Sequence, residues 1–369
     1  MKKLKKIIHM LLLCSMIFAQ PVYAAENVSE NQSTNQSNME NGGYFAEKNH
    51  IFYYLKRVEA EENHNVLQLY QYDLQTQTDS LLCEDSFQYD PSTSTYHMRV
   101  CEDGYIYFNV IKEEDIKENE YNSAYYRVSV NGGKSEYVCK SKEIVFLSDT
   151  WIYWSEKNIF YNLVTKEIVQ NTVTNSLDAI LLKEPANNFC EYRDVIYLDA
   201  HHINLNMIPT TYKNGQLLEN GIYAFPLHEQ NAFHKIELEE EAYNFQVYDN
   251  NLYYYTENAI KQYSLQNHTT KTIIETENAE DETIYNIVIY NDILYYCHII
   301  NKNGKYYSNL YSISLKGEQN QPMVAVPYLF GSQTHILEDV ICRAYVTRGY
   351  IGNWRIFDIH TGKRLFITI

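Results

Sequence analysis

Few residues in this chain have types and spacings that could perform chemistry. Asp199, His201 and His202 lie close together in the sequence, and carboxylate and imidazole groups can bind a metal or transfer protons. Two adjacent histidines on a strand point to opposite sides, however, and the sequence names no third ligand. We interpret this segment as a polar loop. No catalytic, cofactor-binding, metal-binding or other binding residue is predicted from the sequence.

Two further motifs also fail as functional sites. Residues 132–135 (GGKS) superficially resemble a phosphate-binding loop, but the earlier glycine and the following helix of such loops are missing. No D-x-[DN]-x-[DN]-G calcium loop is present in the sequence. We therefore predict no cofactor, while loosely held calcium stays open.

The cysteines argue against a zinc site, because none of them are spaced C-x-x-C. Cys14 belongs to an N-terminal segment described below. The six others are Cys83, Cys101, Cys139, Cys190, Cys297 and Cys342. We interpret them as small buried hydrophobic residues, and disulfide pairing is the alternative.

The N-terminal segment is typical of an exported protein. Four lysines precede an apolar run from Ile7 to Ala19, which is too short to span a bilayer and is followed by Pro21. Residues 1–25 are therefore predicted to be a signal peptide, with a lipoprotein anchor at Cys14 as the rival interpretation. Residues 26–43 (ENVSENQSTNQSNMENGG) are almost free of large apolar side chains and are predicted to be a disordered polar tether. Residues 44–369 then form a single domain, secreted or associated with the cell surface.

The charge balance limits the partners. The chain has 30 Lys+Arg and 47 Asp+Glu; without the four lysines of the signal segment 26 basic residues remain, which gives a net charge near −21. Such a surface repels phosphate backbones, so nucleic acid is not an expected partner. No second hydrophobic span follows the first, so an integral membrane protein is not expected either.

A repeat unit of four short β-like runs recurs along the chain. Its second run is anchored at Phe52, Ile106, Ile152, Ile196, Leu252, Leu294 and Ile341. The mean spacing of these anchors is about 48 residues, and a period of roughly 40–50 residues with four strands per unit is typical of a β-propeller blade. The fold class predicted is all-β, a β-propeller of seven blades with four antiparallel strands each.

The tyrosine-rich second runs fit this architecture. In NNLYYYTEN (residues 250–258), Tyr253 and Tyr255 would point to one face of a strand and Tyr254 to the other. Each propeller sheet lies between two neighbours, so both of its faces are covered and both favour large aromatic side chains. We therefore interpret the tyrosines as core residues and not as a platform for sugars.

The repeat resembles a known family of propellers. Residues 153–156 (YWSE) are similar to the YWTD repeat of low-density-lipoprotein-receptor propellers, and residues 254–257 (YYTE) form a looser copy. The turn at residues 103–108 (DGYIYF) is similar to uncharacterised secreted propeller proteins of Gram-positive bacteria. The resemblance implies extracellular protein or peptide binding by analogy. The EGF-like modules that flank receptor propellers are missing.

Loop lengths suggest a working face. The turns between strands 1–2 and 3–4 of each unit are short, whereas the long insertions fall between strands 2–3 and 4–1, and loops on a rigid scaffold commonly carry function. The insertions are Arg57–Asn65, Lys112–Ser123, Asn171–Asn188, Ala200–Gly221, Ile300–Tyr307 and Gly317–Pro322. That rim is rich in acidic residues, which suggests either a cationic partner or a solvated surface.

These observations lead to a functional expectation. We expect a secreted, non-catalytic binding or scaffolding propeller, which docks an extracellular peptide, protein or glycan on the long-loop rim and acts as a monomer. The alternative is a propeller-type glycan hydrolase or lyase that uses top-face carboxylates converging in a central pocket. The sequence leaves catalysis open and favours a protein that is not an enzyme. An extracellular sensor domain is a third class, which would need a membrane segment or fusion partner.

Overall fold

A computed structural model describes most of the chain beyond its first 44 residues. The described residues are 45–59, 65–89, 97–112, 123–141, 143–172, 189–199, 211–212, 216–217, 221–242, 244–278, 280–316, 320–328, 332–337, 339–347, 350–359, 361 and 363–365. The predicted signal peptide (1–25) and tether (26–43) lie outside them.

Seven four-stranded antiparallel sheets follow one another along the chain. Sheet 1 has β1 (Phe45–Lys48), β2 (Ile51–Glu59), β3 (Asn65–Asp73) and β4 (Thr78–Leu81), with β5 (Phe87–Gln88) also paired to β3. Sheet 2 has β6 (Arg99–Val100), β7 (Tyr105–Val110), β8 (Ala124–Ser129) and β9 (Glu136–Lys140). Sheet 3 has β10 (Ile144–Phe146), β11 (Trp151–Trp154), β12 (Ile159–Asn162) and β13 (Ile168–Gln170).

Sheet 4 contains an inserted hairpin. Sheet 4 has β14 (Phe189–Tyr192), β15 (Val195–Asp199), β18 (Ile222–Pro226) and β19 (His234–Lys235), with the separate hairpin β16 (Thr211–Tyr212) and β17 (Gln216–Leu217). Sheet 5 has β20 (Asn244–Tyr248), β21 (Asn251–Tyr255), β22 (Ala259–Ser264) and β23 (Thr270–Glu275). Sheet 6 has β24 (Glu282–Tyr290), β25 (Ile293–Lys302), β26 (Lys305–Ser314) and β27 (Asn320–Tyr328). Sheet 7 has β28 (Ser332–Ile336), β29 (Val340–Thr347), β30 (Tyr350–Asp358) and β31 (Arg364–Leu365).

The seven-bladed propeller predicted from the repeat is confirmed. Each of the seven sequence anchors lies in the second strand of a different sheet, and all seven are buried. Helix among the described residues is limited to one 3₁₀ turn, Gln230–Ala232. No helix in the described part of the chain has the length and apolar character needed to cross a membrane.

The core is divided into seven clusters, one between each pair of neighbouring sheets. The tyrosine run shows how one strand supplies two of them. Tyr253 packs with residues of sheet 6, and Tyr254 packs with residues of sheet 4. Each sheet is thus covered on both faces, as the tyrosine pattern predicts.

The first strand of each sheet lies toward the axis of the ring. Among the first strands, β1 contacts β6, β14 contacts β20, and β20 contacts β24. The fourth strands are the outer ones, and most of their side chains are exposed. A cleft formed on an outer strand is therefore accessible from the side of the ring.

The short 1–2 turns join neighbouring sheets as well as neighbouring strands. Arg193 and Asp194 both have positive φ, as the tightest hairpin turns require. Arg193 donates a hydrogen bond to Asn250 of the next sheet at 2.7 Å, and Tyr248 donates one to Asp292 at 2.8 Å. These bonds tie the sheets together near the turns.

Two loop expectations change. Ile300–Tyr307, expected as a long 2–3 loop, consists mainly of the ends of β25 and β26, which are joined by a tight turn at Asn303 and Gly304. Arg57–Asn65 likewise includes the end of β2 and the start of β3. Much of the other expected insertions lies outside the described residues.

Candidate functional site: a cleft between the third and fourth sheets

The 3–4 connection of sheet 4 (residues 227–233, LHEQNAF) is longer than a hairpin turn and reaches the outer strand of sheet 3. Pro226 ends β18, where its missing N–H removes no internal ladder bond. Leu227 is buried and donates its N–H to the carbonyl of Asp194 at 2.8 Å. The 3₁₀ turn of Gln230–Ala232 follows and places the Gln230 side chain against β13.

The Gln230 side-chain amide pairs with β13 as the N–H and C=O of one residue in a neighbouring strand would. Its Nε2 donates to the carbonyl of Gln170 at 2.8 Å, and its Oε1 accepts the backbone N–H of Thr172 at 2.7 Å. The Thr172 hydroxyl donates to the same oxygen at 2.7 Å, and Nε2 also donates to the Leu227 carbonyl at 3.1 Å. A carbonyl and the N–H two residues later, both bonded to one amide, repeat the pattern of a β-bridge.

The backbone groups of β13 that do not pair with β12 point away from sheet 3. Asn162 N–H bonds the Glu167 carbonyl, and Asn171 N–H bonds the Asn158 carbonyl, so the odd-numbered residues 167 to 171 face β12. In an antiparallel pair the intervening residues direct their N–H and C=O groups outward. Ile168 and the N–H of Gln170 therefore form an edge beside Gln230.

A histidine between two carboxylates stands next to this edge. His228 lies with Nδ1 3.8 Å from Glu167 and with Nε2 3.6 Å from Asp194. The other oxygen of Asp194 accepts the indole N–H of Trp151 at 2.8 Å, which fixes that carboxylate. Glu229 is exposed at the same connection.

A buried carboxyl group lies behind the Asp194 turn. Glu191 accepts the backbone N–H of Asp194 at 2.8 Å. Burial raises the pKa of Glu191 to about 7, against the opposing effects of that N–H and of the Ser148 hydroxyl, while the Asp194 charge raises it further. The group therefore changes its protonation near neutral pH.

The cleft is an open depression with a volume of about 440 Å³, within the range of roughly 300–1,000 Å³ that is usual for small-ligand sites. Its lining combines apolar side chains with amides, a hydroxyl and acid–base groups. The lining residues are Val169, Gln170, Thr172, Leu227, His228, Glu229, Gln230, Asn231 and Ala232. An exposed strand edge, a small cavity and nearby carboxylates suit an extended chain with apolar and cationic groups.

The candidates weighed from the sequence do not meet at this cleft. Asp199 is buried at the end of β15, and His201 and His202 lie outside the described residues. Residues 132–135 belong to the 3–4 turn of sheet 2, where the Ser135 hydroxyl donates to Asp85 at 2.6 Å. The described residues hold no group of three or more His, Cys, Asp or Glu that could bind a metal.

The predicted acidic rim is only partly described. Glu240 forms an ion pair with Lys261, and Glu282 lies 3.2 Å from His298, so these two have partners within the chain. Residues 113–122 lie outside the described residues. The rule that long insertions occupy only 2–3 and 4–1 connections was wrong for residues 227–233. The six residues HEQNAF between two β-like runs were the sequence signal for this cleft.

Comparisons with known proteins show the fold and no closer relationship. No family model matches the chain, and no curated protein matches it by sequence. Among solved structures, it is similar to the β-propeller domain of the trilobed protease from Pyrococcus furiosus, with an open velcro topology. The TM-score is 0.50 and the identity 13%, over 88% of this chain and 96% of that one.

Two further similar structures are longer peptidases. One comes from a study of two prolyl endopeptidases, with a TM-score of 0.49 and 11% identity over 87% of this chain and 48% of that one. The other is the acylaminoacyl peptidase of Pyrococcus horikoshii, with a TM-score of 0.48 and 12% identity over 88% and 52%. The chain spans about half the length of these two peptidases.

These neighbours correct the functional expectation. We expected a non-catalytic binding or scaffolding propeller. That expectation was wrong, because the similar solved structure with a TM-score of 0.50 is the β-propeller domain of a protease. The comparisons do not show a YWTD-type family, and at these identities they establish a seven-bladed β-propeller.

Proposed function

We propose that the chain is a peptidase-related propeller, which receives peptides that are to be hydrolysed. The observation that carries the proposal is the ring itself. Seven sheets of consecutive strands align with nearly the whole of one protease propeller that is described as open velcro, and no strand in the described part of the chain is shared between sheet 1 and sheet 7. The cleft between sheets 3 and 4 supports it, since an outward strand edge suits peptide backbone.

The proposal includes an exported location. The predicted signal peptide of residues 1–25 supports it, and the YWTD-like tetrapeptides are consistent with an extracellular propeller. Fractionation of cells that express the tagged full chain checks this point. Recovery of the uncleaved chain in the cytoplasmic fraction would contradict export.

The function is tested by offering peptides to the purified chain. A pool of synthetic peptides, each about six to twelve residues long, is incubated with the immobilised protein. Mass spectrometry then measures which peptides are cleaved and which are retained. We expect a subset to be cleaved or retained. A pool that is recovered intact and unbound, with a folded protein by circular dichroism, would overturn the proposal.

A further inference from the structure

We propose that the cleft between sheets 3 and 4 binds one extended peptide, which adds as a strand along the outer edge of β13 with a positively charged group beside the carboxylates of Glu167, Asp194 and Glu229. This inference rests on the proposed function, because it names the ligand class and the place where a peptide is received. It assigns specificity to a side of the ring that the expected long-loop rim did not include.

The first support is that this edge already pairs with an amide. Gln230 occupies the positions between the Gln170 carbonyl and the Thr172 N–H, with both distances in the normal hydrogen-bonding range. A side-chain amide has the same donor and acceptor as a peptide group. The backbone of β13 thus has the geometry that pairing with a further strand needs. Because Gln230 already bonds the Gln170 carbonyl and the Thr172 N–H, an added strand would end before these two groups.

The second support is that β13 itself carries no charged residue or proline. Natural sheets protect exposed edges with charged residues or proline. The fourth strands read TDSL, EYVCK, IVQ, HK, TKTIIE, NQPMVAVPY and RL in sheets 1 to 7. Only IVQ, which is β13, contains neither a charge-bearing residue nor proline. The side chain of Ile168 is 62% exposed and that of Val164, in the turn before it, is 48% exposed.

The third support is charge. Glu167 and Asp194 flank His228, and Glu229 lines the cavity. Carboxylates grouped beside a cleft attract a cation and disfavour an acidic ligand. The ligand therefore has a lysine, an arginine or a free N-terminus near this end, and apolar side chains that contact Ile168 and Val169.

The test uses a fluorescent heptapeptide of valine and threonine with one lysine, measured by anisotropy against the full chain. Two matched peptides separate the interactions: one carries N-methyl groups on alternate amides, and the other has glutamate in place of lysine. We expect each change to weaken binding by about tenfold or more, the equivalent of roughly 1.4 kcal/mol.

Protein variants locate the site. Ile168→Pro removes an N–H that points outward, and it breaks no hydrogen bond between β13 and β12. Glu229→Gln removes one negative charge from the cleft. Each variant should weaken binding by about tenfold. Ile168→Thr keeps the N–H and should bind more tightly than Ile168→Pro. Glu239→Gln, an exposed acid away from the cleft lining, should leave binding unchanged.

The outcomes are distinguishable. If peptides are bound or cleaved but N-methylation and Ile168→Pro have no effect, strand addition at β13 is wrong while the proposed function stands. If no peptide is bound or cleaved, both are wrong. Should Ile168→Pro fail to fold, the N-methylated and glutamate peptides still decide the inference with the unmodified protein.

Discussion

Glu47 accepts the backbone N–H of Asp339 at both carboxylate oxygens, at 3.1 and 3.2 Å, although 292 residues separate the two. The Asp339 carboxylate in turn contacts His50 in the first turn of sheet 1. A cluster that includes Phe52, Tyr54, Val340 and Cys342 packs beside these contacts. Among the described residues the ring therefore closes through packing and hydrogen bonds between sheet 7 and sheet 1, without a shared strand.

The hydrogen bonds between Glu47 and Asp339 should contribute to the free energy of unfolding. Glu47 is completely buried, so Glu47→Ala leaves the Asp339 N–H without this acceptor and should cost about 1–3 kcal/mol of the free energy of unfolding. Urea denaturation measures the loss. Glu136→Ala, which removes an exposed partner of Arg127, is the control and should cost less than about 1 kcal/mol. Equal losses would show that Glu47 does not stabilise the closure.

The tyrosine run makes a prediction about the core between sheets 5 and 6. Tyr253→Ala should lower the free energy of unfolding by about 3–5 kcal/mol, because it removes a buried aromatic ring from that cluster. Tyr137→Ala changes a ring that is 59% exposed and should have a much smaller effect. Thermal denaturation of both variants gives the comparison. An unchanged melting temperature for Tyr253→Ala would contradict the packing.

The buried carboxyl of Glu191 predicts a pH dependence. Its pKa is raised from 4.5 to about 7 in the folded protein, so between these values the folded state binds more protons than the unfolded state. Its contribution to stability is therefore present below pH 4.5 and is lost as the pH rises through 7. Glu191→Gln, which keeps an acceptor for the Asp194 N–H, should remove this loss.

Urea denaturation at pH 5 and pH 8 measures the effect of Glu191→Gln. The difference in stability between the variant and the unmodified protein should increase on going to pH 8, by on the order of 3 kcal/mol at most. Glu239→Gln, at an exposed position, is the control and should show no such increase. A constant difference at both pH values would show that Glu191 is charged throughout this range.

The cysteines predict chemical inertness of the native protein. All six described cysteines are free and buried, as the sequence interpretation favoured, and burial raises the pKa of Cys139 to about 12. Thiolates are the reactive form, so iodoacetamide should not modify these residues in the native state and should modify all of them in urea. Peptide mapping identifies each site. Rapid labelling of the native protein, or disulfide-linked peptides in its digest, would contradict this arrangement.

The fold could be predicted from the sequence because its signals are local. The anchors Phe52 to Ile341 mark strands that each pair with the first strand of their sheet across a short turn, so the repeat reports the sheets directly. The burial of Tyr253 and Tyr254 in two different clusters also follows from the alternation of side chains along a strand. The turn at Asn303-Gly304 has a recognised hairpin signature as well, and it was missed because the surrounding polar residues suggested a loop.

The cleft could not be predicted in the same way. Gln230 meets Thr172 across 58 residues and a boundary between sheets, and nothing in either segment specifies the other. His228 and Glu167 likewise come from adjacent sheets and lie 3.8 Å apart. A pattern that repeats in every sheet predicts what the sheets share, whereas this site depends on what one connection does differently.

Because a cluster lies at each of the seven junctions between sheets, the ring does not depend on which junction the polypeptide leaves uncrossed. The junction of sheets 7 and 1 is built from the same kinds of side chains as the six junctions that the polypeptide crosses. A circular permutant, opened between two other sheets and linked from sheet 7 to sheet 1, retains every one of these clusters. Deletion of a single sheet, by contrast, removes two clusters and exposes the aromatic faces of both former neighbours.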